Sequence, residues 1–501
     1  MNARSVAAIS VIAVLAACPV RAATNAAAPV AFTIPEAVLF ALAHNPAVAA
    51  ERLNPDIRRT FENQERAVFD PVLSARLARE KSEATQVSQG ATGTQSVAAE
   101  QTTGRVAVDE TLPTGTRLTV EGSTDVAREP DRLAGSRAGL TVSQSLLNGL
   151  GTGPNLASLR QARLDTRISE YEFRGFVQDF VASVEKAAWD YLLANRQIEI
   201  YRSSLGLAED SQREAEERVK VGKLAEIEIA AARAEVALRR EALINAESAL
   251  QSARISLLRL LNLPEPNTWC PTVAVVGEAD LARPTLDEVQ DHVRVALRLR
   301  PDLNQARLGI QRNELELVRT RNGLLPKLDF FLTLGRTGYA ESFADSYRAK
   351  IDDGYDVSAG LTAEYPIANR DARARHQRAV LSQAQAAVAL ENQRRLAETD
   401  VRLAYVESGR ALAQVAATQA TRQSQEDKLR AETEKFRLGK STSLLVAQAQ
   451  RDLLQSQVDE VQALNGCFKT AVDLYRLDGS LLIRRGIDAP GREPVEEPAG
   501  N

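Results

Sequence analysis

The sequence predicts an α+β fold in which long α-helical hairpins alternate with groups of β-strands, and in which one unit occurs twice. Three observations support this prediction. All 19 prolines lie outside two stretches, which run from Asn155 to Leu263 and from Ile367 to Ala489. Apolar and polar residues alternate with period two before each stretch. Similar motifs recur in the same order in both halves of the chain.

Composition limits the classes of function. The net charge is −4 and the acidic and basic residues are interspersed, so a nucleic-acid partner is not expected. Three cysteines are too few for a disulfide scaffold. After the N-terminal segment no apolar run reaches the roughly 18 residues that a membrane-spanning helix needs, so none is expected.

The N-terminal residues have the pattern of a secretory signal. Arg4 precedes an apolar segment from Val6 to Ala17, and small residues follow, which predicts a signal peptide over residues 1–22. Cys18 follows Leu-Ala-Ala, which resembles a bacterial lipobox whose cysteine becomes acylated. The alternative is that Cys18 is a small apolar residue that is discarded with the signal.

The first predicted repeat spans residues 34–263. It begins with helices, for which breaks are expected at Pro46 and Pro55 because proline removes a backbone donor. Strands are expected within 72–147. A helical hairpin is expected over 154–262, because this segment is rich in Ala, Leu, Glu, Arg and Gln.

Four strands are expected in this first repeat. Two of them are the alternating segments Arg105–Leu112 and Arg117–Val126, which a tight Pro113-Thr114-Gly115 turn joins. A Gly/Ser/Thr/Gln-rich segment before them, residues 84–104, is expected to be a loop.

The second predicted repeat spans residues 285–482 and follows a proline-rich linker over 264–284. Two strands are expected within 328–365, where one face is apolar and the other carries charges and hydroxyls. A second helical hairpin is expected over 367–479. Residues 483–501 contain Pro, Gly and Glu without periodicity, and a disordered tail is expected there.

Each proline-free stretch is interrupted once by a Gly-Lys pair. Gly222-Lys223 and Gly439-Lys440 both follow a basic helix end and precede a second apolar-periodic segment. This pattern indicates that a helix ends at a left-handed glycine and another begins. The longer arm, from Pro154 to Val221, would be roughly 100 Å long at about 1.5 Å per residue, which is too long for a compact domain.

The halves share their motifs as well as their order. The segment around Pro46 resembles the one around Pro301, and FDPVLSARL at Pro71 resembles LLPKLDFFL at Pro326 at the same interval. AGLTVSQSLLNG, which begins at residue 138, resembles AGLTAEYPIANR, which begins at residue 359. An internal duplication is the simplest explanation.

Catalytic and cofactor chemistry is not indicated. Gly149, Gly151 and Gly153 have the spacing G-x-G-x-G, which lacks the spacing and the βαβ setting of a dinucleotide loop and favours a flexible hinge. His44, His292 and His376 lie far apart without other ligands at metal-binding spacing. No enzyme, cofactor or metal site is expected. In an oxidising compartment, Cys270 and Cys467 could form a disulfide that ties the linker to the last helix.

Together these features resemble the TolC-like outer membrane efflux protein family. The resemblance rests on the pre-strand motifs, the strand-to-helix junctions SLLNG and YPIANR, and the paired Gly-Lys turns. It implies a homotrimer whose strands close one barrel in outer-membrane lipid and whose helices form a periplasmic tunnel. Six strands per chain would give eighteen in the trimer, whereas family members with four per chain have twelve, and the sequence leaves both numbers open. Gly222, Lys223, Gly439 and Lys440 are the expected adaptor-docking tips.

The resemblance also implies a function. The expected role is passive export of small molecules that an inner-membrane pump and a periplasmic adaptor deliver. The family often narrows its tunnel with acidic residues, but the matching positions here are Leu445 and Gln448, so an acidic ring is absent. A type I protein secretion channel is the alternative. An exported coiled-coil scaffold without a pore would not need strands with an apolar face.

Overall fold

The computed structural model describes most of the chain, and Cys18, Lys223 and Cys270 lie outside the described part. The signal-peptide prediction also lies outside it. The described residues are 31–87, 94–127, 133–222, 225–264, 269, 274–275, 286–348 and 354–496.

The first half begins with helices, continues into four long strands and ends in a helical hairpin. Its elements are β1 (Ala31–Phe32), α1 (Ile34–His44), α2 (Pro46–Arg66), β2 (Val72–Val87), β3 (Thr94–Thr111), β4 (Thr116–Ala127), β5 (Leu133–Ser145), α3 (Thr152–Asn155), α4 (Ala157–Lys220) and α5 (Ile227–Leu261).

The second half repeats this order with two long strands. Its elements are β6 (Ala274–Val275), α6 (Val289–Leu299), α7 (Pro301–Asn322), β7 (Lys327–Ala340), α8 (Phe343–Arg348), β8 (Tyr355–Glu364), α9 (Arg370–Arg437), α10 (Ser443–Leu477) and α11 (Leu481–Arg484).

Helix lengths agree between the halves. Helices α1 and α6 each have 11 residues, and α2 and α7 have 21 and 22. In the hairpins, α4 and α9 have 64 and 68 residues, and α5 and α10 both have 35. At about 1.5 Å per residue, α4 and α9 are each roughly 100 Å long. The two halves are therefore copies of one structural unit, as the motifs indicated.

Both hairpin turns contain a left-handed glycine. Gly222 has φ 69° and Gly439 has φ 72°. At the second turn, the amide of Lys440 donates to the carbonyl of Lys435 at 2.8 Å, and the amide of Gly439 donates to Phe436 at 3.0 Å. These two bonds form a Schellman motif, which satisfies the last carbonyls of α9.

The six long strands form one antiparallel sheet in the order β2-β3-β4-β5-β7-β8. Sixteen consecutive residue pairs join β2 to β3, from Val72 opposite Asp109 to Val87 opposite Thr94. Strand β5 pairs with β7, and this contact joins the two halves of the chain. Within the described residues, β2 and β8 have a strand neighbour on one side only, so they are the edges of the sheet.

The largest core lies where α1, α4, α5, α10 and α11 converge. It includes Val181, Leu257, Leu261 and Leu482, all of them almost fully buried. Burying each such side chain contributes about 1.5–3 kcal/mol relative to leaving it in water. This core fixes the start of the first half against the end of the second.

The structure corrects the prediction of a disordered tail over 483–501, because residues up to 496 are ordered and packed. Arg485 donates from both Nε and Nη2 to the buried carboxylate of Glu185, at 2.6 and 2.8 Å. This hydrogen bonding raises the pKa of Arg485. Arg174, itself buried, donates to the carbonyl of Ala489 at 3.0 Å.

Two local predictions were also wrong. Pro55 does not break a helix but lies inside α2, where it is buried. The expected loop over 84–104 is largely strand, since β2 continues to Val87 and β3 begins at Thr94. Backbone pairing between the two strands maintains the sheet there even though the sequence lacks apolar alternation.

Candidate functional site

The six-stranded sheet has two chemically different faces. In β4, for example, Leu118, Val120 and Gly122 lie on one face, and Thr119 and Glu121 lie on the other. Register extends this division across all six strands, because directly opposite residues share a face. We call the face that includes Val120 the apolar face and the face that includes Glu121 the polar face.

A continuous row of apolar side chains crosses the apolar face from one edge of the sheet to the other. Each member is directly opposite the next, and every one is exposed to solvent. The row consists of Leu73 (β2), Val108 (β3), Val120 (β4), Leu140 (β5), Leu334 (β7) and Val357 (β8). An exposed apolar surface of this extent is typical of a surface that another apolar phase covers.

The polar face carries charged and hydroxyl side chains that bond to one another across strands. Arg105 pairs with Glu121, and Thr119 donates to Asp109 at 2.6 Å. Thr141 and Thr333 form a hydrogen bond of 3.1 Å between the two halves. This face is therefore suited to contact with water.

Side-chain hydrogen bonds hold the junction between sheet and helix in this structure. Gly149 and Gly151 both have positive φ. The amide of Gly149 donates to Asn322 Oδ1 at 2.8 Å, and Asn155 Nδ2 donates to the carbonyls of Gly149 and Pro113 at 2.7 and 3.1 Å. The glycine run that favoured a hinge is thus held by side chains from α3 and α7.

Two of the predicted site residues lie near the tip of the second hairpin. Leu445 and Gln448 are both exposed and lie one turn apart near the start of α10. At the same end of the molecule, Ser443 donates to Glu228 at the start of α5, which joins the two hairpins. The pKa of Glu432 is lowered by hydrogen bonds from Lys435 and from Ser441.

Polar pairs also join the hairpins along their length. Lys469 Nζ lies 2.8 Å from Asp190 Oδ1, and Lys186 Nζ lies 2.5 Å from Asp473 Oδ1. All four are on α4 or α10, so these pairs fix the first hairpin against the second. Sequence reasoning missed them, because partners far apart in the chain leave no spacing signal.

The structure places some of the cysteine and histidine residues that the sequence singled out, and others lie outside the described residues. Cys467 is buried in α10 beside Ala411 and Val415, but Cys270 is outside the described residues, so their disulfide stays a prediction. Lipidation of Cys18 stays a prediction for the same reason. His292 is buried in α6, and its Nδ1 is 2.8 Å from Asp478 Oδ2.

Within the described part of the chain, no three or more His, Cys, Asp or Glu side chains form a cluster that could hold a metal ion. No described helix is both long and apolar enough to cross a membrane.

Solved outer membrane channels share this fold. The Campylobacter jejuni channel CmeC is 15% identical, with a TM-score of 0.66, over 89% of this chain and 86% of its own. The Vibrio cholerae outer membrane protein VceC is also 15% identical, with a TM-score of 0.66, over 89% of this chain and 96% of its own. The outer-membrane channel OprN is 17% identical, with a TM-score of 0.67, over 89% and 90% of the two chains.

A curated relative is detected from sequence. The pyoverdine export outer membrane protein OpmQ of Pseudomonas putida is 26% identical over 332 residues. The match spans 65% of this chain and 65% of the length of that relative.

Both halves of the chain match one protein family. Residues 40–263 and 293–480 match the outer membrane efflux protein family, whose members are outer membrane channels and not enzymes. The protein resides in the outer membrane, with its helical part in the periplasm. The chain belongs to the outer membrane efflux protein family.

Proposed function

We propose that this protein is the outer-membrane exit duct of a tripartite efflux system and works as a homotrimer. One observation carries the proposal: a sheet with one apolar face, one polar face and two open edges continues into helices roughly 100 Å long. A strand edge cannot remain unpaired in lipid, because its backbone groups would lack hydrogen-bond partners. Copies of the chain must therefore complete the wall.

The orientation of the wall follows from its faces. The row from Leu73 to Val357 would contact lipid, and the polar face with Arg105 and Glu121 would line water. Solutes would pass along the polar face and through the space that the helices enclose. We further propose that transport through the duct is passive and depends on an inner-membrane pump and a periplasmic adaptor.

The cargo is proposed to be a small molecule. OpmQ, which resembles this chain, is named for pyoverdine export, and this favours small-molecule export over secretion of a polypeptide. The adaptor would contact the hairpin tips at Gly222, Lys223, Gly439 and Lys440.

Leu445 and Gln448 are proposed to line the narrow end of the duct. Without carboxylates at these positions, the aperture should discriminate weakly between cations and anions. Replacing both residues with Asp should make the aperture cation-selective. In a salt gradient, the reversal potential of the channel should then shift toward the equilibrium potential of the cation. Replacing both with Asn is the uncharged control, and an equal shift in the control would contradict the assignment.

The main experiment is reconstitution of the protein in planar lipid bilayers. The proposal predicts discrete conductance steps from the purified trimer. A folded trimer that inserts but conducts no ions would overturn the proposed function.

A further inference from the structure

We infer that all six long strands belong to the wall, so that three chains form an eighteen-stranded barrel. This inference rests on the proposed homotrimer. It concerns β3 and β4, the two strands that the second half lacks. If both belong to the wall, the membrane section of the duct is wider than it would be with four strands per chain.

The repeat identifies β3 and β4 as the additional pair. The motif at Pro71 leads into β2 and its counterpart at Pro326 leads into β7. Gly139 in β5 corresponds to Gly360 in β8. Strands β2 and β5 therefore match β7 and β8, and the β3–β4 hairpin is inserted between the members of the first pair.

The inserted hairpin is built as wall and not as a loop folded aside. It pairs fully with both neighbours, through Val72–Val87 on β2 and Leu133–Gln144 on β5. Val108 and Val120 continue the apolar row between Leu73 and Leu140 without a break. Asp109, Thr119, Arg105 and Glu121 continue the polar face.

The edges of the sheet fit each other. Because the six strands alternate in direction, β8 of one copy would run antiparallel to β2 of the next. The apolar row ends at Leu73 and Val357, which are 70% and 60% exposed, more than the members on β3, β5 and β7. A second copy would continue the row at both ends, since odd-numbered residues lie on the apolar face in β2 and in β8.

The width follows from the strand number. With strands about 4.8 Å apart and tilted by about 40°, eighteen strands give a backbone diameter of roughly 36 Å and twelve give roughly 24 Å. The membrane section would then hold a broad aqueous channel, as barrels of about 16–18 strands do. The size limit for cargo would lie in the helical part of the duct.

A deletion can remove the extra pair without changing the rest of the wall. Deleting residues 81–127 would join β2 to β5 through residues 128–132. In the full chain, the register across β3 and β4 already aligns Glu80 with Leu133 and Leu73 with Leu140. The deletion would therefore let β2 and β5 pair directly without a change of register. The shortened hairpin would keep both faces and would give each half two strands.

The test is cryo-electron microscopy of the full-length trimer in lipid nanodiscs, compared with the deletion variant. We expect eighteen strands and a diameter of about 36 Å for the full chain, and twelve strands and about 24 Å for the variant. A full-chain trimer with twelve wall strands and the β3–β4 hairpin outside the wall would overturn the inference and leave the proposed duct intact. Absence of any trimer would overturn both. The full-chain count decides the inference even if the variant does not fold.

Discussion

Arg137 on β5 and Asp356 on β8 form an ion pair across the intervening strand β7, with Arg137 Nη2 2.6 Å from Asp356 Oδ2. Gly335 of β7 lies beneath this pair. A Cβ at Gly335 would come within 2.4 Å of Asp356 Oδ1 and 2.7 Å of Arg137 Nη2. The absence of a side chain at Gly335 allows the two halves to be joined on the polar face.

Gly335→Val should therefore separate Arg137 from Asp356. The pair is partly exposed, so the expected loss is about 1 kcal/mol or less, seen as a small fall in the temperature at which the sheet signal in circular dichroism disappears. Gly122→Val is the matched control, since nothing lies within 4 Å of the added Cβ. If Gly335→Val destabilises the sheet equally in an Asp356→Asn background, the ion pair is not the cause.

Leu140 and Thr141 are adjacent in β5 but lie on opposite faces. Leu140→Arg would place a charge on the surface that faces lipid, at a cost of about 2–4 kcal/mol near the bilayer centre. We expect this variant to insert poorly into liposomes, as measured by flotation. Thr141→Arg, on the polar face, should insert normally. Equal insertion of the two variants would contradict the assignment of the faces.

Gly439 and Gly409 provide a matched test of the hairpin turn. Neither has an atom within 4 Å of an added Cβ, but only Gly439 has positive φ. Gly439→Ala should destabilise the hairpin by about 1–2 kcal/mol. Gly409→Ala, within α9, should stabilise it by about 0.5–1 kcal/mol. Thermal unfolding followed by the helical signal in circular dichroism measures the change in stability of both variants. An equal loss of stability in the two variants would exclude the turn conformation as the cause.

Glu185 is 1% exposed and accepts both hydrogen bonds from Arg485. Arg485→Met should cost about 3–5 kcal/mol, because it leaves a buried carboxylate without its partner. The double variant Glu185→Met/Arg485→Met should recover much of that loss. Thermal unfolding gives the order of stability. A double variant less stable than Arg485→Met would show that the buried charge is not the source of the loss.

The arrangement of the long helices could be predicted because its signals are local. Proline-free segments and the Gly-Lys turns at Gly222 and Gly439 determine where the helices begin and end. The strands of the second half were also evident, since Leu328 to Gly335 alternates clearly between apolar and polar residues.

The ordered tail could not be predicted from its sequence, because part of its hydrogen bonding uses backbone carbonyls of the tail and side chains from elsewhere in the chain. Arg174 bonds to the backbone carbonyl of Ala489, and any residue would offer that acceptor. The outer parts of β2 and β3 were missed for a similar reason. They are held by backbone pairing, as between Val87 and Thr94, which requires no apolar alternation.

The proposed site was only partly visible in the sequence. The apolar and polar faces follow from period-two alternation, but the register that aligns Leu73 with Val357 across six strands is a property of the sheet. The pair between Arg137 and Asp356 depends on the contact between β5 and β7, which no spacing in the chain encodes.

If the proposed duct is correct, one chain supplies only a third of the channel wall. Native mass spectrometry of the complex released from membranes in mild detergent counts the chains in that wall. We expect a complex of three chains that conducts ions when returned to a bilayer. A single chain that is stable, inserts and conducts alone would contradict it.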